Sequence, residues 1–387
     1  MANSTTEASI SYELTEEMKI VRQSAREFAE TEVRPVVMKY DETQEFPMEI
    51  FSKMAELGFL GTVTPEELGG AGMTAFEFAI IMEEIARVDP SVALTLAAHS
   101  GLCLEHLLQF ANDGQKKKYV PDLASGKKIG SWCLTEPGSG SDAGGMLTTA
   151  EKKGGEYVLN GAKTFITNGS YASTFVVMAK TGHEKGKLQI SAFIVEKGMG
   201  VRVGKKENKL GFRASDTVQL VFEDVHVPAS NLLGKEHEGF KQALSVLDSG
   251  RVGVAALSVG LAQGAMEASI KYARERKAFG KHLGDFQAIQ FKLADMATEI
   301  EAARLLTFKS AAAKVNGKPL TLAAAHAKLF ASEVAQRVAT EAVQIHGGYG
   351  FIKEFPVEKF YRDVKLLTIG EGTSEVQRMV IAKNILF

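Results

Sequence analysis

The segment EYVLNGAKTFITNGSYASTFVVMAK, residues 156–180, marks the change of secondary structure that decides the fold class. It is rich in β-branched and aromatic residues, which favour strands, and it contains the turn signals Asn160-Gly161 and Asn168-Gly169. Short strand-like runs of the same kind begin near residue 128 and end near residue 232. Because no long helical pattern interrupts them, residues 128–234 are predicted to form a middle β domain with an antiparallel sheet.

Helical patterns lie on both sides of this domain. Before it, apolar residues recur at spacings of three and four, at Leu14, Met18, Val21, Ala25 and Phe28. After it, the same spacing is seen at Phe286, Ile289, Leu293, Met296, Ile300 and Ala303. Long amphipathic helices with short links typically form an antiparallel bundle. The predicted fold is therefore mainly α with a β domain, with an N-terminal all-α domain at residues 1–127 and a C-terminal four-helix-bundle-like domain at residues 235–387.

The composition restricts the class of partner and the compartment. The chain has 387 residues, which suggests two or three domains, and 45% of them are hydrophobic, enough for a large core. The net charge of −2 does not indicate nucleic acid or an anionic membrane as a partner. The two cysteines, Cys103 and Cys133, form no CxxC pair, which favours a reducing compartment over a disulfide framework or a zinc ribbon.

The first residues give no targeting signal. MANSTTEASI, residues 1–10, lacks both the basic and the apolar region of a signal peptide. No apolar run in the chain is expected to reach the roughly 20 residues that a membrane span needs. The expected location is the cytoplasm, or the matrix of an organelle if a leader has been removed.

A glycine-rich loop follows the first predicted strand. TEPGSGSDAGG, residues 135–145, formally contains the GxGxxA fingerprint of dinucleotide-binding proteins. A Rossmann turn must open a helix, and the sequence after Ala143 indicates strand and turn instead. The loop could still offer backbone N–H groups to a pyrophosphate, although the motif alone is more typical of a plain surface loop.

Three further motifs each allow a structural and a functional interpretation. TFITNG, residues 164–169, indicates a strand that enters a turn, although a Thr beside an aromatic ring would also suit a flat heterocycle. ARERKAFGK, residues 273–281, indicates a solvated helix end, or a phosphate clamp by Arg276. QIHGGYGF, residues 344–351, indicates a helix C-cap, or close approach of a ligand to the glycine backbone. No second ligand lies at metal spacing from His346, so no metal site is predicted.

The motif TIGEGTSEVQR, residues 368–378, places one carboxylate between two glycines in front of a helix-like stretch. Glu371 could simply be an acidic residue at a helix N-terminus, where the dipole favours it. It could instead be a general base, because flanking glycines let the backbone approach a substrate closely while the side chain reaches the reacting carbon.

Taken in order, the motifs of this chain resemble the acyl-CoA dehydrogenases from about residue 12 to the C-terminus. The blocks that carry the resemblance are CLTEPGSGSD, KTFITNG, LGFRASDT, FEDVHVPASNLLG, GFKQALSVLDSGRVGVAA, ERKAFGK, FQAIQFKLADM, QIHGGYGF and GEGTSEVQR. The resemblance implies the same helix–sheet–helix fold, non-covalently bound FAD, and oxidation of an acyl-CoA thioester to the trans-2-enoyl-CoA. It also implies an electron-transfer flavoprotein as electron acceptor and a homotetramer.

The resemblance also implies roles for individual residues. Glu371 matches the catalytic base of the family. Residues that match FAD contacts are Cys133, Leu134, Thr135, Ser141, Phe165, Thr167, Thr373 and Glu375. Residues that match contacts to the FAD of a neighbouring subunit are Arg276, Phe279, Gln287, Gln344 and Gly348. Residues that match contacts to the acyl-CoA are Ser141, Asp248, Arg251 and Gly372. Phe165 stands where many relatives have Trp, which keeps a ring but loses an indole N–H.

The substrate and the direction of reaction stay open at this point. Isovaleryl-type relatives carry the base at the position of Gly250 and have no Glu at 371, so this chain has its base in the common place. AHSGLC looks isovaleryl-like whereas LDSGRVGVAA looks short-chain-like, and the expected substrate is a short-chain or branched acyl-CoA. The alternatives are an enoyl-CoA-reducing or O2-using member of the same fold, or a non-catalytic helical scaffold.

Overall fold

The computed structural model describes residues 14–184 and 187–387. The predicted order of helices, sheet and helices is confirmed, and so is the fold class. The leader-peptide expectation falls on residues 1–10, which lie outside the described residues.

The N-terminal region is helical. Its helices are α1 (Glu16–Phe28), α2 (Val37–Thr43), α3 (Met48–Glu56), α4 (Ala75–Ala86), α5 (Pro90–Leu96), α6 (Glu105–Phe110) and α7 (Asp113–Ala124). Helix α1 buries Ala25 and Phe28, two members of its apolar face. A π-helical stretch, Ala97–Leu104, joins α5 to α6 without a break. It places the side chain of Leu102 against Gly250 in the C-terminal region.

The middle region is a sheet of short and long strands. They are β1 (Gly130–Cys133), β2 (Thr149–Lys153), β3 (Glu156–Thr167), β4 (Thr174–Glu184), β5 (Lys187–Glu196), β6 (Arg202–Lys206), β7 (Thr217–Pro228) and β8 (Leu232–Leu233). The strand order is β6-β7-β3-β2-β4-β5-β8, with β1 paired to β4 off this path. The prediction of an antiparallel sheet is correct for most pairs, but β4 runs parallel to both β1 and β2. Those two pairings join strands distant in sequence, so no turn signal could reveal them.

The C-terminal region is a helical bundle. Its helices are α8 (Gly239–Glu275), α9 (Gln287–Val315), α10 (Thr321–His346), α11 (Val357–Leu367) and α12 (Ser374–Leu386), and a small hairpin of β9 (Lys277–Ala278) and β10 (Lys281–His282) links α8 to α9. Helix α10 packs against α8, α9, α11 and α12, and α8 also packs against α4. The loop between α11 and α12 therefore lies against the centre of the bundle.

The expectation that no apolar run is long enough to span a membrane was wrong. Two helical stretches, Pro90–Phe110 and Gly239–Glu275, are long and apolar enough to cross a membrane by length and composition alone. In the folded protein 83% and 78% of their most apolar windows are buried, as in core helices. Polar residues within the first stretch find partners inside the protein. For example, His99 accepts a hydrogen bond from Gly130 N (2.9 Å) and donates one to Leu123 O (3.0 Å).

Candidate active site

The loop between α11 and α12 presents Glu371 in a strained backbone conformation. Its φ angle is +53°, and Gly372 follows at +94°. A non-glycine residue in this left-handed region costs roughly 1–3 kcal/mol, and such strain is concentrated at functional sites. The helix that follows the loop begins with a standard N-cap. The Thr373 hydroxyl caps α12 by accepting a hydrogen bond from Val376 N (3.3 Å).

The carboxylate of Glu371 points at Gly250 of α8, a position without a side chain. The residue is only partly covered, but its Oε2 atom is buried and has no hydrogen-bond partner among the described atoms. A Cβ placed on Gly250 would lie 2.4 Å from that oxygen and 2.8 Å from Leu102 Cδ2. The missing side chain at Gly250 thus makes the room that the carboxylate uses.

The surroundings of Glu371 move its titration towards neutral pH. Burial raises the pKa of Glu371 to about 7, against the lowering effect of the nearby Lys328 and Arg251. A carboxylate with a pKa near the working pH is the type of group that can accept a proton from a weak carbon acid and later release it. The alternative interpretation, an acidic residue that serves only the helix dipole, explains neither the buried oxygen nor the strained backbone.

Side chains from two helices hold the backbone of this loop. Lys328 Nζ on α10 donates to Gly372 O (2.7 Å). Gln377 Nε2 on α12 donates to Gly372 O (3.1 Å) and to Glu371 O (3.3 Å). Sequence reasoning missed both residues. A signal existed for Lys328, which stands four residues after the buried Ala324 and three before the buried Ala331, on an otherwise apolar face.

Asp248 and Arg251, predicted to contact the acyl-CoA, lie on α8 beside the same loop. Arg251 is buried and pairs with Asp248 (Nη1–Oδ1, 2.6 Å), and its Nε is 3.5 Å from Glu371 O. Thr321 at the start of α10 donates to the other oxygen of Asp248 (2.6 Å). The structure therefore brings Glu371, Gly372, Asp248 and Arg251 together.

The predicted flavin contacts of the β domain come together at the ends of β1 and β3. Thr164 N donates to Thr135 O (2.9 Å), which joins the second residue after β1 to the C-terminal end of β3. A register shift follows Lys163, and within it Phe165 has φ +55° and a ring that is 64% exposed. Thr167 is held through its carbonyl, which accepts from the Ser131 hydroxyl (2.6 Å). The side chains of Cys133 and Leu134 are buried, so these two residues can offer a ligand only their backbone.

A buried ion pair shapes the glycine-rich loop that carries Ser141. Lys163 Nζ contacts Glu136 Oε1 (2.8 Å) and Leu134 O (2.9 Å), and both charged side chains are buried. Ser141 itself is exposed, and a Cβ added at the neighbouring Gly140 would meet nothing within 4 Å. A single turn of 3-10 helix, Ala143–Gly145, follows instead of an α-helix, which agrees with the rejection of a Rossmann site.

The remaining residues predicted to contact the flavin form two separate groups. Thr373 and Glu375 line a cleft between α12, α10 and α9. Arg276, Phe279, Gln287, Gln344 and Gly348 gather where α8 and α10 end and α9 begins. The guanidinium of Arg276 lies over the Tyr349 ring, 5.2 Å from its centroid, and no described residue forms an ion pair with it. No described hydrogen bond or ion pair links this second group to the loop of Glu371.

His346 has a structural place near that second group. It is buried, its Nδ1–H donates to Ala342 O (2.8 Å), and its ring stacks on Tyr272 with centroids 4.3 Å apart. Within residues 14–184 and 187–387, no cluster of three or more His, Cys, Asp or Glu side chains could hold a metal ion.

Comparison with known proteins gives a consistent family. Three domain models match: "Acyl-CoA dehydrogenase, N-terminal domain" over residues 15–127, "middle domain" over 131–225 and "C-terminal domain" over 237–386. The chain is 48% identical to "Acyl-CoA dehydrogenase, short-chain specific" of Clostridium acetobutylicum, over 97% of this chain and 99% of that one. It is also 48% identical to "Caffeyl-CoA reductase-Etf complex subunit CarC" of Acetobacterium woodii, over 96% and 99%.

A solved structure supports the same assignment. Butyryl-CoA dehydrogenase from Megasphaera elsdenii superposes with a TM-score of 0.96 at 44% identity, over 98% of this chain and 100% of that one. The resemblance found in the ordered sequence blocks is thereby confirmed, and the chain belongs to the acyl-CoA dehydrogenase family.

Proposed function

We propose that this oxidoreductase uses FAD to convert a short-chain or branched acyl-CoA thioester to the trans-2-enoyl-CoA, with Glu371 as general base. The observation that carries the proposal is the buried Oε2 of Glu371, which has no hydrogen-bond partner among the described residues and faces the gap at Gly250. Family membership and the similarity to short-chain acyl-CoA dehydrogenases support the reaction class.

The chain's own residues account for removal of the α-proton. Glu371 Oε2 accepts the proton from Cα, and the electrons of that C–H bond form the Cα=Cβ double bond as a hydride leaves Cβ. FAD, when bound, supplies the acceptor for that hydride. The loop contacts from Lys328 and Gln377 keep the carboxylate in place before the reaction, which matters because misplacement by about 1 Å can cost 10²-fold in rate.

The residues gathered by the fold fit FAD. The exposed ring of Phe165 offers a face to a flat heterocycle, beside the partly exposed Thr135 and Thr167. Arg276, which has no carboxylate partner among the described residues, offers a cation to a diphosphate. These features support a flavin held at the ends of β1 and β3, with the exposed end of α8 serving a second copy of the cofactor.

We expect the purified protein to be yellow and to bind about one FAD per subunit without a covalent bond. The measurement is the flavin absorbance of the protein, followed by heat denaturation to release the flavin for identification. The ratio to protein gives the stoichiometry. A preparation that stays colourless after incubation with FAD would contradict the cofactor assignment and favour the scaffold alternative.

We expect the active form to be at least a dimer, and we propose a homotetramer. The group around Arg276 has no described hydrogen bond or ion pair with the Glu371 loop of its own chain, which supports a role at the cofactor of a neighbouring subunit. Exposed apolar residues at the end of α12, including Phe387 at 101% exposure, would be covered in such an assembly. Light scattering on the FAD-saturated enzyme tests this, and an active monomer would refute it.

The most informative experiment on the substrate is a panel of acyl-CoA thioesters assayed with an artificial electron acceptor. Formation of the 2-enoyl-CoA is followed directly, so that flavin reduction without product is not counted. Activity confined to short or branched acyl groups supports the proposal, and activity on none of them contradicts it.

Gly370, directly before the base, is expected to leave room for a branched acyl group. A Cβ at this position would make only ordinary contacts, 3.5 Å to Leu366 O and 3.8 Å to Leu366 Cδ1, so a larger residue fits the backbone. Gly370→Tyr should lower kcat/KM for isobutyryl-, 2-methylbutyryl- or isovaleryl-CoA by about 10–200-fold, at ~1–3 kcal/mol per excluded methyl. The kcat/KM for butyryl-CoA should stay near that of the wild type.

Gly370→Ala is the matched control for this substitution, since it adds a Cβ without a ring. It should leave the ratio of branched to straight substrates near that of the wild type. Equal losses on both substrates in Gly370→Tyr, or absence of branched activity in the wild type, would show that Gly370 does not set the pocket.

A second candidate function is reduction of an enoyl-CoA in association with an electron-transfer flavoprotein. The similarity to a subunit named as part of a caffeyl-CoA reductase–Etf complex favours it. The same base would then donate a proton to Cα. Assays in both directions, with an electron-transfer flavoprotein and with O2 as alternative electron acceptors, decide between dehydrogenase, reductase and oxidase. The cytoplasmic location stays a prediction from composition.

A further inference from the structure

We propose that Lys328 is a positioning residue for the general base, holding the turn of Glu371 through the Gly372 carbonyl and placing a positive charge beside its carboxylate. The inference rests on the proposed role of Glu371. It concerns a residue that none of the sequence motifs contains.

The position of Lys328 is unusual for a lysine. Its side chain is fully buried on the apolar face of α10, with 0% exposure. Its ammonium donates one described hydrogen bond, to Gly372 O at 2.7 Å, and forms no described ion pair within 4.0 Å. An ammonium can donate three hydrogen bonds, and burying one costs several kcal/mol unless it is compensated. An apolar residue would stabilise this face at lower cost, so the charge itself is the feature to explain.

The other charged groups around the turn are already engaged or lie further out. On α8, Arg251 is neutralised by Asp248. On α10, Glu333 pairs with Arg378, and on α12, Glu375 is exposed. Lys328 is thus the cation in this cluster that has no carboxylate partner at ion-pair distance among the residues described.

The charges of Lys328 and Glu371 act on each other. Burial lowers the pKa of Lys328 to about 8, against the raising effect of Glu371, while Lys328 in turn opposes the burial that raises the pKa of Glu371. Each charge therefore favours the ionised form of the other group. A charged Lys328 favours the ionised carboxylate, which is the form that can accept the α-proton.

Two substitutions separate the charge from the hydrogen bond. Lys328→Gln removes the charge but keeps a donor for Gly372 O, and Lys328→Met removes both. The rate of flavin reduction at saturating acyl-CoA is measured between pH 5.5 and 9. We expect the midpoint of the acidic limb to move up by about 1 unit in both variants, equivalent to a roughly tenfold loss on the acidic limb. The alkaline plateau should fall only in Lys328→Met, because only that variant releases the turn.

Lys359→Met is the matched control. Lys359 is equally buried, on α11, but it pairs with Asp89 and Asp363 away from Glu371. Its substitution should lower the stability of the protein while leaving the midpoint of the acidic limb of the pH–rate profile unchanged. A uniform loss of rate in both Lys328 variants, with no shift in midpoint, would overturn the proposal and leave Lys328 a packing residue.

A second readout does not use turnover. A carboxyl group with a raised pKa binds its proton more tightly in the folded state, so its contribution to stability is lost as pH rises from about 4.5 towards 7. The difference in melting temperature between wild type and Glu371→Gln should follow that loss, and in the Lys328→Gln background it should continue to higher pH. If the melting-temperature difference depended on pH in the same way in both backgrounds, the proposal would be contradicted. Near wild-type flavin reduction by Glu371→Gln would instead refute the proposed function itself.

Discussion

Glu371→Gln should abolish most flavin reduction while leaving FAD and acyl-CoA binding intact. Gln is nearly isosteric with Glu but cannot accept the α-proton, so the loss falls on the chemical step. We expect a drop of at least ~10²-fold, the lower end for a positioned general base. The space at Gly250 accommodates the amide as it does the carboxylate, so no repacking is needed.

Single-turnover bleaching of the flavin by acyl-CoA measures this step, and substrate titration measures binding separately. Glu341→Gln, on the same bundle but paired with Lys292, is the control for loss of a carboxylate and should behave like the wild type. If Glu371→Gln bleached the flavin at near wild-type rate, the base would have to lie elsewhere in the chain.

Gly250→Ala adds only one methyl group, yet it should lower the rate of flavin reduction by about 10–10²-fold. The new Cβ would overlap Glu371 Oε2 at 2.4 Å, and the carboxylate, as the end of a flexible side chain, would move away. Displacement of a reacting group by about 1 Å is enough for a loss of this size. Stability should change little, because Ala in a helix interior is favoured over Gly by about 1 kcal/mol, which offsets the crowding.

Gly253→Ala provides a control one turn further along the same helix. Its Cβ would lie 3.3 Å from Phe78 Cε1, with no atom of Glu371 among its close neighbours. It should gain the same helix propensity and keep the rate of flavin reduction. Equal losses in the two variants, measured alongside thermal unfolding, would mean that general crowding of α8 and not the position of the carboxylate controls activity.

Local patterns in the sequence are sufficient for the types and order of the elements. The spacing of Ala25 and Phe28 predicts a helix with one buried face, and the structure has that helix with both residues buried. The turn predicted at Asn168-Gly169 is present at the end of β3, but the turn predicted at Asn160-Gly161 is wrong, because that pair lies inside β3 at a shift of register with β7. Helix periodicity and turn chemistry act over a few residues, which is why the sequence displays them.

The ordered motifs likewise identify the family and single out Glu371 as the candidate base. Flanking glycines are visible in the sequence, and they indicate a backbone that must adopt an unusual conformation. The observed φ of +53° at Glu371 agrees with this indication. Assigning the base needed nothing more than the motif and its resemblance to known relatives.

Tertiary structure alone decided what makes this carboxylate reactive. Gly250 on α8 supplies the gap and Lys328 on α10 supplies the ammonium, and both residues lie more than 40 positions before Glu371 in sequence. Packing against α8 also buries Glu371 Oε2. The parallel pairing of β4 with β1 and β2 is non-local in the same way. A pKa depends on the charges and the solvent around a group in space, and contacts between distant segments are set by packing of the whole chain, so neither can be read from the residues next to Glu371.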